Sequence, residues 1–377
     1  MLRQVIKQHL LTLLDDYRDL NSSSTTVQSI PSAVEFSKQV SRGYPCVYKA
    51  YKTIKDDDGN ALVSTDSSLL ESPAFTWTKQ DLVNLVEDKV EVAVTPDGRA
   101  DDLASINGHE GPVFLAPATL EMTIAELLNC LESSTPNPSD FMSRTPAVYY
   151  LQSQNSNLTT TPLASVLKHV PRNFPFAEPV LSDPEAINIW IGDSRSVTST
   201  HRDPYENLYL VLKGSKTFTL YPPVDEITLP TVSVRTGKYN FDKSTSSFST
   251  SLDESETPDD PPTRIPWIAL DPSRLREQLI AEHPMYEHSS PRVVTVREGE
   301  ILYLPSGWYH HVRQECGTWH EDGSPAPCIA VNYWYDMEYD GEKYVMRQLI
   351  GRLVQEMREE DGLNATQVVE TNMSRTE

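Results

Sequence analysis

"TSTHRDPYENLYLVLKGSKTFTLYPP", Thr198 to Pro223, sets an imidazole and a carboxylate one residue apart, His201 and Asp203, at the mouth of a β-like run. Side chains along a strand alternate between its faces, so residues two apart share one. His201, Asp203, Tyr205, Asn207, Tyr209 and Val211 then point the same way. Read as the two-residue loop of a hairpin, Gly214-Ser215 puts Lys213 opposite Lys216 and continues that face through Lys216, Phe218 and Leu220. A half-buried face carrying His, Asp, Asn and Lys must satisfy them with hydrogen bonds, a metal or a charged ligand. A metal together with an anionic ligand satisfies all four.

The surrounding chain supports a β architecture. From Val90 onward short β-like runs recur between turn residues: "VEVAVTPDG", "PVFLAP", "AVYYLQSQ", "AINIWIG", "NLYLVLKG", "KTFTLYPP", "RVVTVREGEILYLPSGWYHHV" and "CIAVNYWYD". Many short strands of this kind predict an all-β core, a double-stranded β-helix or jelly roll. Helical signals flank it. Residues 1–90 read as a helical region, with an amphipathic start, then "PSAVEFSKQVSRG" and the Thr-capped "TKQDLVNLVEDK". The core is expected over 91–340, a C-terminal helix over 341–360 and a flexible tail over 361–377. "KDDDGNALVSTDSS" and "ESSTPNPSD" read as surface loops. The acidic, Ser/Thr/Pro-rich stretch near 230–266 reads as a loop insert ordered only in part. Val345, Met346, Leu349, Ile350, Leu353, Val354 and Met357 form one helical stripe, expected to pack either on the barrel or against a two-fold mate in a homodimer.

Composition narrows the partners. With 54 acidic against 32 basic residues the net charge is -22, which argues against nucleic acid and anionic membranes and favours a basic partner. No apolar run approaches the roughly 18 residues of a membrane span. Cys46, Cys130, Cys316 and Cys328 are scattered, without a C-x-x-C pair, and the N-terminus lacks a small-residue cleavage site. A reduced compartment is expected, the cytoplasm first and the nucleus second.

Two histidines and a carboxylate on a rigid scaffold, with adjacent positions left open, form the facial triad of non-haem Fe(II) oxygenases. The pattern His-x-Asp recurs at His320-Glu321-Asp322, but there it lies in the polar stretch "CGTWHEDGSPAP", where a solvated turn is the simpler reading. His201 and Asp203 need a second histidine on another strand. "GEILYLPSGWYHHV", Gly299 to Val312, offers His310 and His311, and alternation lets only one of them ligate. Lys216 matters because 2-oxoglutarate, the usual co-substrate of such iron sites, ends in a carboxylate that needs a buried cation. No G-x-S-x-G, P-loop or H-E-x-x-H pattern is present.

"HRDPYENLYLVLKGSKTFTLYPP", "GEILYLPSGWYHHV" and "AVNYWYDMEYD" resemble the Jumonji-C oxygenases of the cupin-8 type. With "PSAVEFSKQVSRGYPCV", "PAVYYLQSQNSNL" and "IPWIALDP" the likeness narrows to the protein lysyl hydroxylases of that family and runs from about Pro31 to about Leu353. The resemblance implies His201, Asp203 and His310 as iron ligands, because the first histidine after the aromatic pair Trp308-Tyr309 binds. It implies Lys216 as the salt-bridge partner of 2-oxoglutarate, assisted by Tyr150 and Thr198. Asn207 and Asn332 match pocket positions, and Trp334 a neighbouring wall.

The same resemblance implies an Fe(II)-, O2- and 2-oxoglutarate-dependent dioxygenase acting on a lysine of a protein, with a developmentally regulated GTP-binding protein as the target. The chain's acidity favours a basic target segment. Asp336, Glu338 and Asp340 are candidate partners for a lysine ammonium, although a solvated acidic turn is the simpler reading. Two further readings are a Jumonji-C lysine demethylase and a metal-free cupin acting as a scaffold. The absence of a chromatin-reader or zinc module weighs against the first, the intact triad with Lys216 against the second.

Overall fold

The computed structural model describes residues 2–22, 24–49, 52–55, 61–64, 71–132, 147–152, 157–254 and 262–358. The expected tail at 361–377 and the densest part of the acidic segment, 255–261, lie outside them, as does most of "ESSTPNPSD".

Eight strands form the core: β1 Ala186–Gly192, β2 Val197–Arg202, β3 Tyr205–Lys213, β4 Ser215–Tyr221, β5 Arg292–Arg297, β6 Glu300–Leu304, β7 Tyr309–Glu315 and β8 Cys328–Asp336. They divide between two sheets. One runs β6-β3-β8-β1 within a nine-stranded sheet, the other β5-β4-β7-β2 within a five-stranded one. Successive strands therefore cross between the sheets, except at the β4-to-β5 connection, which is the winding of a jelly roll.

Alternation along β3 explains why this sequence holds two layers at once. Leu208, Leu210 and Leu212 pack outward with Phe36, Tyr48 and Phe176 of the flanking layer. Tyr209 and Val211 pack inward with Phe218, Leu220, Val296 and Leu302, so the strand is buried on both faces. The same parity splits β6, where Ile301 and Tyr303 face out while Leu302 and Leu304 face in. Burying each such side chain contributes about 1.5–3 kcal/mol, so a polar residue at Leu210 would weaken the outer layer by roughly that much.

The expected hairpin at Gly214-Ser215 does not form. β3 pairs with β6 and β8, whereas β4 pairs with β5 and β7, and Lys213 does not face Lys216. Gly214, at φ +74°, turns the corner between the sheets, where a Cβ would lie 2.3 Å from the carbonyl oxygen of Glu315. The polar face survives the correction because both strands line the same interior. His201 likewise belongs to β2, and Asp203 to the connection before β3.

The first 90 residues are not helical throughout. Besides helices Leu2–Leu20, Ala33–Arg42 and Lys79–Leu85 they contribute strands Thr26–Ser29 and Cys46–Lys49, which extend the larger sheet beyond β6. Helix Ala33–Arg42 starts at a capping box, Ser32 with Glu35, and ends at left-handed Gly43. It thereby sets Phe36 in the core. Part of "KDDDGNALVSTDSS" is a short hairpin, Lys52–Lys55 with Ala61–Ser64.

The acidic segment is also more ordered than its composition suggests. Thr231–Asp242, Ser247–Leu252 and Arg264–Ile268 are strands, and the first pairs in parallel with Val113–Ala116. The chain leaving this sheet is tied to β2, since Thr200 Oγ1 donates to the Leu270 carbonyl at 3.0 Å.

The C-terminal helix Glu342–Arg358 packs on the chain itself. Val354, with Ile350, Leu353 and Met357, meets Leu10 and Leu14 of the N-terminal helix. Four residues of the expected stripe are thus taken up internally, which leaves Val345, Met346 and Leu349 exposed.

Candidate active site

β2 and β7 are antiparallel neighbours with His201 opposite His310, so the two imidazoles meet across the smaller sheet. Their ring centroids are 4.3 Å apart. Asp203 closes the group from the β2–β3 connection, where its carbonyl accepts the Gly307 N–H at 2.9 Å. His201 Nε2 lies 3.7 Å from Asp203 Oδ1, and His310 Nε2 3.6 Å from Asp203 Oδ2. One ligand atom from each of the three falls within 4.8 Å of the others.

The donor set fits a divalent metal. His201 Nδ1 lies 2.8 Å from the Ser199 carbonyl and His310 Nδ1 3.1 Å from that of Trp308. With Nδ1–H donating to these oxygens, both Nε2 lone pairs turn inward. Burial, with His201 beside it, pulls the His310 imidazole down to about 4, so it is neutral and free to ligate at neutral pH. Bonds of about 2 Å put donors roughly 3 Å apart on one octahedral face. The observed separations of 3.7 and 3.6 Å from the two Nε2 atoms to the Asp203 carboxylate are close to that spacing.

His311 faces the other way. It is buried, neither ring nitrogen has a hydrogen-bond partner among the described residues, and Nε2 lies 3.9 Å from Asp271 Oδ1 on the far side of the sheet. His320 lies outside the site, 2.7 Å from Glu298 Oε1.

Lys216 reaches the interior from β4. It is 2% exposed, and its Nζ donates to the Tyr150 hydroxyl at 3.0 Å and to Gln314 Oε1 at 2.8 Å. The ring faces of Tyr150 and Tyr209 lie 5.3 and 5.6 Å from the ammonium. An ammonium has three donors, so one remains for a ligand. Burial pushes the Tyr150 hydroxyl up, which keeps it a neutral O–H able to donate to a carboxylate.

Tyr150 stacks on Trp190 at 6.0 Å, and Trp190 Nε1 donates to Asn332 Oδ1 at 2.8 Å. Asn332 Nδ2 reaches Asn207 Oδ1 at 3.4 Å, so the two asparagines predicted for the pocket do meet. Thr198 is half-buried on β2 opposite Val312. Trp334 stacks on Tyr205, 5.0 Å between centroids and 12° between planes, beside the mouth. Asp336, Glu338 and Asp340 are exposed to solvent.

Sequence reasoning missed Gln314 and Trp190. Gln314 shares the parity of His310 and Val312 on β7, a readable signal. For Trp190, nothing in "AINIWIG" distinguishes it from core.

Gly192 shows how tightly the lysine end is packed. A Cβ there would lie 2.4 Å from Tyr150 Cδ2 and 2.7 Å from Gln314 Nε2. Gly192→Ala should displace both partners of Lys216. Overpacking costs about 1–3 kcal/mol, so 2-oxoglutarate affinity should fall about five- to a hundredfold by titration calorimetry. Unchanged affinity in a folded variant would show that these side chains do not shape the co-substrate site.

Comparison with known proteins gives the site its context. A family model described as a cupin-like domain matches residues 32–341. The chain is similar to the human bifunctional peptidase and (3S)-lysyl hydroxylase JMJD7, 37% identical over 266 residues, 70% of this chain and 73% of that protein. It is similar to JmjC domain-containing protein E of Dictyostelium discoideum, 33% identical over 287 residues, 73% of this chain and 77% of that one. It is also similar to the lysine-specific demethylase JMJ32 of Arabidopsis thaliana, 33% identical over 318 residues, 83% of this chain and 81% of that protein.

Proposed function

Because the chain belongs to the cupin-like, Jumonji-C family of 2-oxoglutarate-dependent dioxygenases, we propose that it hydroxylates a methylene carbon of an unmethylated lysine in a protein substrate. The observation that carries the metal assignment is the meeting of His201, Asp203 and His310 within 4.8 Å. These residues hold Fe(II), and Lys216 with the Tyr150 hydroxyl binds the distal carboxylate of 2-oxoglutarate. When bound, iron with 2-oxoglutarate and O2 supplies the power to insert one oxygen into a C–H bond, the keto acid leaving as succinate and carbon dioxide. The protein's part is placement. Ser199 and Trp308 carbonyls orient the imidazoles, Lys216 and Gln314 fix the keto acid's far end, and Asn207, Asn332 and Thr198 line its flank.

The choice of lysine hydroxylation is supported by the likeness to a relative named a (3S)-lysyl hydroxylase. The resemblance also supports a developmentally regulated GTP-binding protein as target. The likeness to a relative named a lysine-specific demethylase favours a second reading, oxidation of an N-methyl carbon. The two differ in product. A hydroxylated methylene is stable, whereas a hydroxylated N-methyl group is lost as formaldehyde.

Mass spectrometry of candidate GTPases incubated with the protein, Fe(II), 2-oxoglutarate and O2 should show one added oxygen on unmodified lysine. With a net charge of -22, turnover on a basic target should also weaken as salt rises. Loss of methyl groups from di- or trimethylated peptides, with no oxygen gained on unmodified lysine, would promote the demethylase instead.

A further inference from the structure

The short strand Arg99–Ala100 runs parallel to β2, with Arg99 opposite Val197 and Ala100 opposite Thr198. The next residue, Asp101, is thereby carried to the part of β2 that leads into His201. Ser199 Oγ donates to the Asp101 carbonyl at 2.7 Å, and Gln152 Nε2 donates to its Oδ2 at 2.9 Å. Gln152 follows Tyr150 by two residues on the chain, so the co-substrate's tyrosine and this carboxylate are positioned together. Asp101 has φ +54°, a left-handed conformation uncommon outside glycine. Backbone of this kind persists where surrounding contacts hold it, often at a functional site.

Its charge is unusual among its neighbours. Asp102 and Asp271 both bind Arg99, at 3.2 and 2.5 Å, and so share a counter-ion. Asp101 makes no ion pair among the described residues, and the Gln152 amide is the group that donates to its carboxylate. Burial pushes its carboxyl up and the Gln152 amide pulls it part of the way back, so the carboxylate is desolvated without a compensating cation among the described residues.

We propose that Asp101 is the residue that receives the ε-ammonium of the substrate lysine, held in place by Gln152 and Ser199. The inference rests on the lysyl hydroxylase reading above. A lysine methylene at the metal leaves the ammonium some carbons farther on. Its counter-ion must therefore neighbour the triad without belonging to it, as Asp101 does. The exposed carboxylates Asp336, Glu338 and Asp340 compete with water for any cation, whereas the half-buried, amide-held Asp101 is oriented in advance.

The test pairs a substrate change with a protein change. Fluorescein-labelled peptides spanning a lysine found hydroxylated, and the same peptides with norleucine in its place, are compared for binding by anisotropy and for oxygen gain by mass spectrometry. The wild type should prefer lysine roughly ten- to a hundredfold. Asp101→Asn keeps the shape and suits the left-handed backbone, and it should collapse that preference to near unity by weakening lysine alone. A wild type that binds both peptides equally overturns the inference, whatever the variant does. So does an Asp101→Asn protein that keeps the full preference. If instead the wild type hydroxylates no lysine at all, the parent reading fails first and separately.

Discussion

Replacing His310 with alanine is expected to abolish metal-dependent turnover of 2-oxoglutarate, while His311→Ala retains most of it per folded molecule. The two residues are adjacent, both are buried, and burial pulls both imidazoles down to about 4. Neither burial nor protonation therefore tells them apart. Geometry does. His310 Nδ1 is engaged by the Trp308 carbonyl and its Nε2 lies 3.6 Å from Asp203, while His311 lies nearest to Asp271, itself bound to Arg99. Even outer partners of a metal ligand typically change affinity about 10–100-fold, so losing a ligand should cost more. Mn(II) titration calorimetry and succinate formation measure the two effects. His311→Ala leaves a cavity, so its melting temperature should fall, and activity is compared well below it. Equal and complete loss of turnover in both folded variants would break the argument from strand alternation.

That alternation was the most legible feature of the sequence, because it is local. It placed Asn207, Tyr209 and Val211 toward one interior without knowledge of which strands pair, whereas Lys216 was brought to that face through a hairpin that does not form. The partner of a strand is a long-range choice, and there the local reading failed. Gly214-Ser215 looks like a hairpin loop, yet β3 finds β6 and β8, about 90 and 120 residues downstream, and the glycine serves as a corner. Composition misled in the acidic segment for a related reason. The alternating β-branched residues of "TVSVRTGKYNF" form a strand because Val113–Ala116 lies beside them, a partner more than a hundred residues upstream. The C-terminal stripe was visible as a helix face, but only the folded chain shows Leu10 and Leu14 covering part of it. Asp101 escaped notice for the opposite reason. Three residues of Arg-Ala-Asp carry no pattern, and its significance comes from Ser199 and Gln152, brought to it by two different strands.

Lys216→Ala should weaken 2-oxoglutarate binding by two orders of magnitude or more. The ammonium is 2% exposed, and the Tyr150 hydroxyl and Gln314 amide accept two of its three N–H donors. These neutral partners stabilise the charge in place but leave it uncompensated, which is the state a carboxylate ligand completes. Removing one member of a buried charge pair typically costs about 3–5 kcal/mol, and each 1.4 kcal/mol is about tenfold in affinity. Arginine should not restore the loss. Its planar fork needs more room than an ammonium, and the contact of Gly192 with Tyr150 and Gln314 shows that none is spare. Calorimetry with 2-oxoglutarate and the metal-loaded protein measures both variants. Normal binding by Lys216→Ala would require another cation in the interior. The nearest in sequence, Lys213, is no substitute, since its ammonium lies 5.6 Å over the Trp319 ring, and Trp319 packs with the outer layer of the larger sheet. Such a result would therefore move the co-substrate site away from the β4 lysine altogether, and with it the role assigned to Tyr150.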